Sequence, residues 1–85
     1  MSTVTGTFSG TGNSAEVVAG QVIFSMTHAG TATVNAQIKV DGANWVTVGT
    51  YTATQVPTIC ETMGLGFRLN CSAHTDNVTY VIATR

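Results

Sequence analysis

The sequence predicts a small all-β domain: an antiparallel β-sandwich or flattened barrel of about seven short strands. Three observations predict it. Apolar and polar residues alternate over much of the chain, turn residues separate the alternating segments, and no helical segment of useful length is present. The chain has 85 residues, without a linker, a low-complexity segment or a block of charge. We therefore treat residues 1–85 as a single β-sandwich domain.

The clearest strand spans residues 31–40. Its even-numbered residues are apolar and its odd-numbered residues are polar, so one face is expected to be buried. After the turn that begins with Asp41 and Gly42, a second strand runs from Trp45 to about Tyr51. An Asp-Gly pair between two alternating segments favours a β-hairpin.

The C-terminal part repeats this pattern. Residues 66–73 alternate, and residues 77–84 return as another strand after the turn residues 74–77. We expect these two strands to form a second hairpin. The residues expected to face inward are Phe67, Leu69, Cys71 and Ala73 in the first strand and Val78, Tyr80 and Ile82 in the second.

The N-terminal half is less regular but still β-like. Residues 3–9 alternate weakly, and residues 21–27 carry Val22, Phe24 and Met26 on one side. Between them, the glycine-rich residues 10–14 are expected to form a flexible turn. The best helix candidate, residues 14–18, is too short to form a stable helix.

The middle of the chain predicts an edge strand over residues 56–61. Pro57 cannot donate a ladder hydrogen bond, so it is tolerated only at a strand start, an edge or a bulge. From the alternating segments we select the side chains that should form the core. They are Val34, Ile38, Phe67, Leu69 and Ile82.

The charge content is the most informative feature of the composition. Hydrophobic residues make up 44% of the chain and charged residues only 8%, with a net charge of −1. This excludes the basic footprint that nucleic acid or an anionic membrane would require. A surface with so little charge is typical of a protein that packs against other protein, so we expect a homo-oligomer, a trimer or a dimer. A monomer kept soluble by Thr, Ser, Asn and Gly is the alternative.

Residues capable of chemistry are few and scattered. The four carboxylates are separated along the chain, and His28 and His74 lie at predicted strand ends, where exposed imidazoles are ordinary. Cys60 and Cys71 lack C-x-x-C spacing, and Cys71 falls on an apolar face as a buried, inert thiol. We therefore expect no enzyme activity, no catalytic residues, no metal and no cofactor.

The N-terminus, residues 1–6, has neither a basic start nor an apolar segment that would direct secretion. No run approaches the length of a membrane helix. We therefore expect synthesis in the cytoplasm, where Cys60 and Cys71 would be reduced thiols.

Three aromatic side chains raise a different possibility. Trp45, Tyr51 and Tyr80 could form a platform on which sugar rings stack, which would indicate a carbohydrate-binding module. Trp45 directly follows a turn, a position where a large ring commonly closes the end of a core. We therefore favour a core or subunit contact for Trp45 over a ligand contact.

Two segments resemble small structural proteins of tailed bacteriophage virions: residues 38–48, a strand, an Asp-Gly turn, Trp and a second strand, and residues 67–82, similar to the closing hairpin of that group. Residues 54–61 depart from it. The resemblance implies a virion protein, made in the host cytoplasm, whose small size suggests a head decoration (cement) protein bridging capsid subunits. Its partners would be the major capsid protein or other virion proteins. A tail, neck or fibre component is the alternative within this class.

Overall fold

The computed structural model describes residues 3–85; Met1 and Ser2 of the N-terminal segment discussed above lie outside the described residues. The described chain is built from nine β-strands and contains no helix, hence none that could cross a membrane. The strands are β1 (Thr3–Phe8), β2 (Gly12–Asn13), β3 (Val17–Val18), β4 (Gln21–His28), β5 (Ala32–Lys39), β6 (Trp45–Tyr51), β7 (Gln55–Glu61), β8 (Gly66–His74) and β9 (Val78–Thr84).

The strands form two antiparallel sheets packed face to face. Sheet A has the order β1-β9-β4-β7, and sheet B has the order β2-β8-β5-β6, with β3 also paired to β8. The chain changes sheet at every connection except β2 to β3 and β5 to β6, which is a jelly-roll arrangement. The predicted all-β sandwich is confirmed. The strand count exceeds seven because β2 and β3 are two-residue pieces of one interrupted edge.

The first predicted hairpin is confirmed, since β5 and β6 pair in sheet B. Its turn is closed by Asp41, whose carboxylate accepts hydrogen bonds from the backbone N–H groups of Asn44 at 2.7 Å and Ala43 at 2.9 Å. These bonds, with one from the Asn44 side chain, lower the pKa of Asp41 to about 2. Gly42 has a φ of 80°, a left-handed conformation that glycine adopts without strain.

The second predicted hairpin is wrong. β8 pairs with β5 in sheet B, whereas β9 pairs with β1 and β4 in sheet A, so the connection between them crosses from one sheet to the other. This crossing is held by Thr31, whose carbonyl accepts the N–H groups of Thr75 and Asp76 and whose N–H donates to the Asp76 carboxylate at 2.8 Å. Two amphipathic strands can meet at a sandwich corner as readily as in a hairpin, since both arrangements bury the same faces.

The predicted N-terminal turn is confirmed in part, since residues 9–11 bend between β1 and β2, whereas the helix candidate is replaced by extended chain. β2 lies within residues 10–14, and β3 begins three residues after Ser14. Between them the Ser14 N–H donates to the Leu69 carbonyl, and the Ser14 hydroxyl accepts the Leu69 N–H, each at 2.8 Å. The hydroxyl continues the ladder where the strand is interrupted. The predicted edge strand around Pro57 is confirmed as β7.

The core lies between the two sheets, and all five predicted core residues are buried there. Phe24 of sheet A connects the layers, because its ring centroid lies 5.5 Å from that of Phe67 and 5.6 Å from that of Tyr51 in sheet B. Val40 and Ala73, also expected to face inward, are exposed. Val40 has already entered the turn, and Ala73 follows a register shift that ends the regular alternation of β8.

Candidate functional site

The described residues form a surface rather than a cleft. They contain no pocket and no group of three or more His, Cys, Asp or Glu side chains that could hold a metal ion. The side chains available for function lie on the two outer faces of the sandwich and along its edges and ends.

The two cysteines lie apart. Cys60 is half-buried in β7 and Cys71 is buried in β8, in different sheets, and both are free thiols. Burial raises the pKa of both, and the neighbouring charge of Glu61 raises that of Cys60 further. The Cys71 thiol donates a hydrogen bond to the Ala73 carbonyl at 3.5 Å. A raised pKa favours the unreactive thiol, so this environment does not activate either cysteine as a nucleophile.

The two histidines differ from the expectation of exposed, solvated rings. His74 is half-buried and its Nε2 lies 3.2 Å from the Asn77 Oδ1 atom. His28, at the end of β4, is also half-buried, and both of its ring nitrogens are buried without a hydrogen-bond partner. Its backbone N–H donates to the Thr54 hydroxyl at 3.1 Å, which ties the strand to the loop before β7.

The outward side chains of sheet B form what we call the polar face, and hydrogen bonds join them from strand to strand. One row joins β6, β5, β8 and β2: Thr50 Oγ1 donates to Asn35 Oδ1 at 2.9 Å, Asn35 Nδ2 to Asn70 Oδ1 at 3.3 Å, and Asn70 Nδ2 to Asn13 Oδ1 at 2.6 Å. The side-chain N–H groups make further bonds: Asn35 Nδ2 also donates to the Ser72 hydroxyl, and Asn70 Nδ2 also donates to the Gly12 carbonyl.

A second row on the polar face runs parallel to the first. Arg68 Nε donates to Gln37 Oε1 at 2.8 Å, and Gln37 Nε2 donates to Thr47 Oγ1 at 3.2 Å. Neighbours on adjacent strands therefore orient the amide of Gln37, as they do those of Asn35 and Asn70. The polar face was not found from the sequence, although the alternation of β5 and β8 does place Asn, Gln and Arg outward.

Trp45 lies at one end of the polar face, surrounded by charge. The Arg68 guanidinium carbon is 4.2 Å from the Trp45 ring centroid and the Lys39 Nζ is 5.2 Å away. Lys39 also forms an ion pair with Glu16 at 3.0 Å. Two of the three basic side chains of the sequence thus meet its single tryptophan. Arg68 stacks on the indole ring, which removes ring surface from any other contact.

The aromatic platform expected from the sequence does not form. Trp45 faces outward on sheet B, but Tyr51 points inward against Phe24. Tyr80 is buried in sheet A, 4.8 Å from the ring of Phe8. The three rings therefore share no surface. The core contact expected for Trp45 is wrong, because this ring faces outward beside Lys39 and Arg68; a subunit contact for it stays a prediction.

The outward side chains of sheet A form a second surface, which we call the neutral face. Pairing places them in three rows across the strands. The apolar residues lie centrally and towards β7, where Ile59 is 61% exposed, and threonines surround them. Among the described residues of this face, the charged side chains are Glu61 in β7 and Arg85 after β9, both at one end. The rows are Thr3-Ala83-Ile23-Ile59, Thr5-Val81-Ser25 and Thr7-Thr79-Thr27.

Apolar side chains are exposed on two further sides of the molecule. Along the edge formed by β6 and β7, Val48 is the extra residue of a register shift and Val56 is 71% exposed. At one end of the sandwich, Met63 is 79% exposed in the turn that bonds to Gly20, near the exposed Val18. The described surface thus offers apolar contacts in at least three directions.

Comparison with known proteins supplies a fold relationship only. No protein-family model matches the chain, and no similar curated protein is found. Among solved structures, the crystal structure of the Yersinia pseudotuberculosis-derived mitogen is similar, with a TM-score of 0.57 and 18% sequence identity. The similarity covers 99% of this chain and 85% of that one. At this identity the likeness supports the β fold and says nothing about activity.

Proposed function

We propose that the protein is a structural component of a bacteriophage virion, and that it stabilises the head as a decoration protein by bridging neighbouring capsid subunits. The observation that carries the proposal is the distribution of exposed apolar side chains over the neutral face, the β6–β7 edge and one end. A protein that binds one partner needs one apolar patch. A protein that fills a junction between subunits needs contacts on several sides.

Two further features support the proposal. Residues 38–48 and 67–82 resemble virion structural proteins, and the chain carries only three basic and four acidic side chains, so covering its surface desolvates few charges. A jelly roll is also an architecture that viral capsid domains use, although lectin domains and cupins use it too. In this role the protein performs no chemistry. Many modest contacts, repeated over the lattice, would make the loss of any one subunit cooperative and therefore rare.

The proposal is tested on particles that lack the protein. We expect them to assemble with normal geometry, to release DNA at lower temperature or after osmotic shock, and to regain stability when purified protein is added back. A copy number close to that of the major capsid protein is also expected. Adding back a variant with Val56→Lys, which places a charge on the exposed edge, should restore less stability than Ala73→Lys, which adds the same charge to the polar face.

If the copy number is a few to a dozen, or if particles without the protein are as stable as normal ones, the decoration role is wrong. A tail, neck or fibre role would then replace it, and labelling the protein in intact particles would locate it.

Carbohydrate binding is a second candidate from another class. The observation that favours it is the outward position of Trp45, the one ring of the expected platform that lies on the polar face, beside the polar side chains Arg68 and Gln37. It is tested by titrating the free protein with a panel of neutral oligosaccharides and repeating any positive titration with Trp45→Ala. Binding that survives loss of the indole ring, or no binding at all, would argue against this role.

A further inference from the structure

The two outer faces of the sandwich differ in whether their side chains already have partners. On the polar face, the amides of Asn35 and Asn70 use both N–H groups and their carbonyl oxygens within the face. On the neutral face of the described chain, the hydrogen bond between side chains is the one from Gln21 to Glu61, at the charged end. Its centre presents Ile23, Val81 and Ala83, which gain nothing from contact with water.

The neutral face also has the composition of an interface. Interface centres are depleted of charge and surrounded by a polar rim, and here apolar residues are bordered by threonines. Valine, isoleucine and threonine have few χ1 states within a strand, so immobilising them at an interface costs little conformational entropy. The face is therefore ready to be covered without rearrangement.

We infer that the neutral face is the self-association surface of this protein, and that two copies pack sheet A against sheet A about a two-fold axis. A second copy is the occupant because the face is uncharged over its three rows, so copies meet without like-charge repulsion. With the axis along the strands between β4 and β9, β4 of one copy faces β9 of the other. Ile23 then meets Ala83, and Ser25 meets Val81.

The same arrangement keeps like charges apart at the charged end of the neutral face. Glu61 lies on the edge strand β7, and the axis carries it to the opposite edge of the other copy, beyond the start of β1, rather than over the second Glu61. The backbone of Arg85 pairs with that of Gln21, so the axis places Arg85 of one copy over Gln21 of the other. Among the residues that the structure describes, this arrangement brings no two like charges together.

The size of the face predicts a weak to moderate dimer. Four strands of six to eight residues cover about 25 Å by about 19 Å, which is about 480 Å² on each copy. The pair would bury about 950 Å² in projection, close to the lower limit of about 1,000 Å² for specific interfaces. Association in solution is therefore expected at micromolar concentrations.

This inference does not depend on the capsid role, and it is tested on the purified protein alone by sedimentation equilibrium and light scattering. The wild type should be dimeric at high micromolar concentration. Val81→Lys and Thr5→Lys add a charge to one row of the neutral face and should weaken association by about tenfold or more. Ala73→Lys, the matched control on the polar face, should not. Circular dichroism establishes that each variant is folded.

A mixing experiment separates self-packing from contact with a different surface. Val81→Lys and Val81→Glu should each associate about tenfold or more weakly than the wild type. An equal mixture should associate more strongly than either variant alone, as a heterodimer, because opposite charges then meet across the axis. A wild type that stays monomeric overturns the inference. So does a dimer that Val81→Lys and Thr5→Lys leave intact, or a mixture that does not associate. None of these results bears on particle stability, which tests the proposed function separately.

Discussion

Replacing Phe67 by Ala removes a side chain on which both sheets depend. Phe67 is fully buried in β8, and its ring packs against Phe24 of the opposite sheet. Deleting a buried phenylalanine ring costs about 3–5 kcal/mol, from the lost transfer free energy and the cavity left behind. A chain of this length is expected to have a free energy of unfolding of about 4–13 kcal/mol. The substitution should therefore remove a large part of the stability, or all of it.

The assay is urea unfolding followed by far-ultraviolet circular dichroism and by the fluorescence of Trp45. Coincident transitions would establish two-state behaviour, which the free energies require. Phe67→Leu, which keeps part of the apolar volume, should lie between wild type and Phe67→Ala. Thr79→Ala in β9 is the control, since this exposed side chain faces outward and its loss should cost less than about 1 kcal/mol.

A Phe67→Ala variant that unfolds within about 1 kcal/mol of the wild type would contradict the inward assignment. Because a shift of one residue moves every side chain of a strand to the opposite face, it would also contradict the register of β8 with β5.

Three further predictions concern polar groups. His28→Leu should raise the free energy of unfolding by about 1 kcal/mol, because it removes two buried nitrogens without partners; a loss of stability in thermal unfolding would contradict this. The pKa of Asp41 is lowered from 3.8 to about 2, so its ionised carboxylate should stabilise the folded state above pH 4 and lose this effect as the pH falls to 2. The melting temperatures of wild type and Asp41→Ala should therefore converge between pH 4 and pH 2. Cys60 and Cys71 should be alkylated slowly in the folded protein and completely after unfolding without reductant; the mass of an intact disulfide would refute it.

Much of the candidate surface depends on pairings that no short segment contains. The hydrogen-bonded row of the polar face joins Asn13, Asn35, Thr50 and Asn70, which come together only when β2, β8, β5 and β6 adopt their register. Likewise, Val81 and Ser25 become neighbours on the neutral face because β9 inserts between β1 and β4. From the sequence these residues could be assigned to an outward face but not to each other.

The sequence by itself determined the seven longer strands and most of the side chains they bury. An alternation of period two is a local property, and burying the apolar set of each strand is favourable whichever strand lies beside it. Only the tertiary structure decided how the strands are ordered. The segment after β8 has the turn residues of a hairpin, yet it carries the chain into the other sheet, where β9 finds β1 and β4. Hairpin and crossing bury the same faces of β8 and β9, so the difference between them lies in contacts with strands distant in sequence.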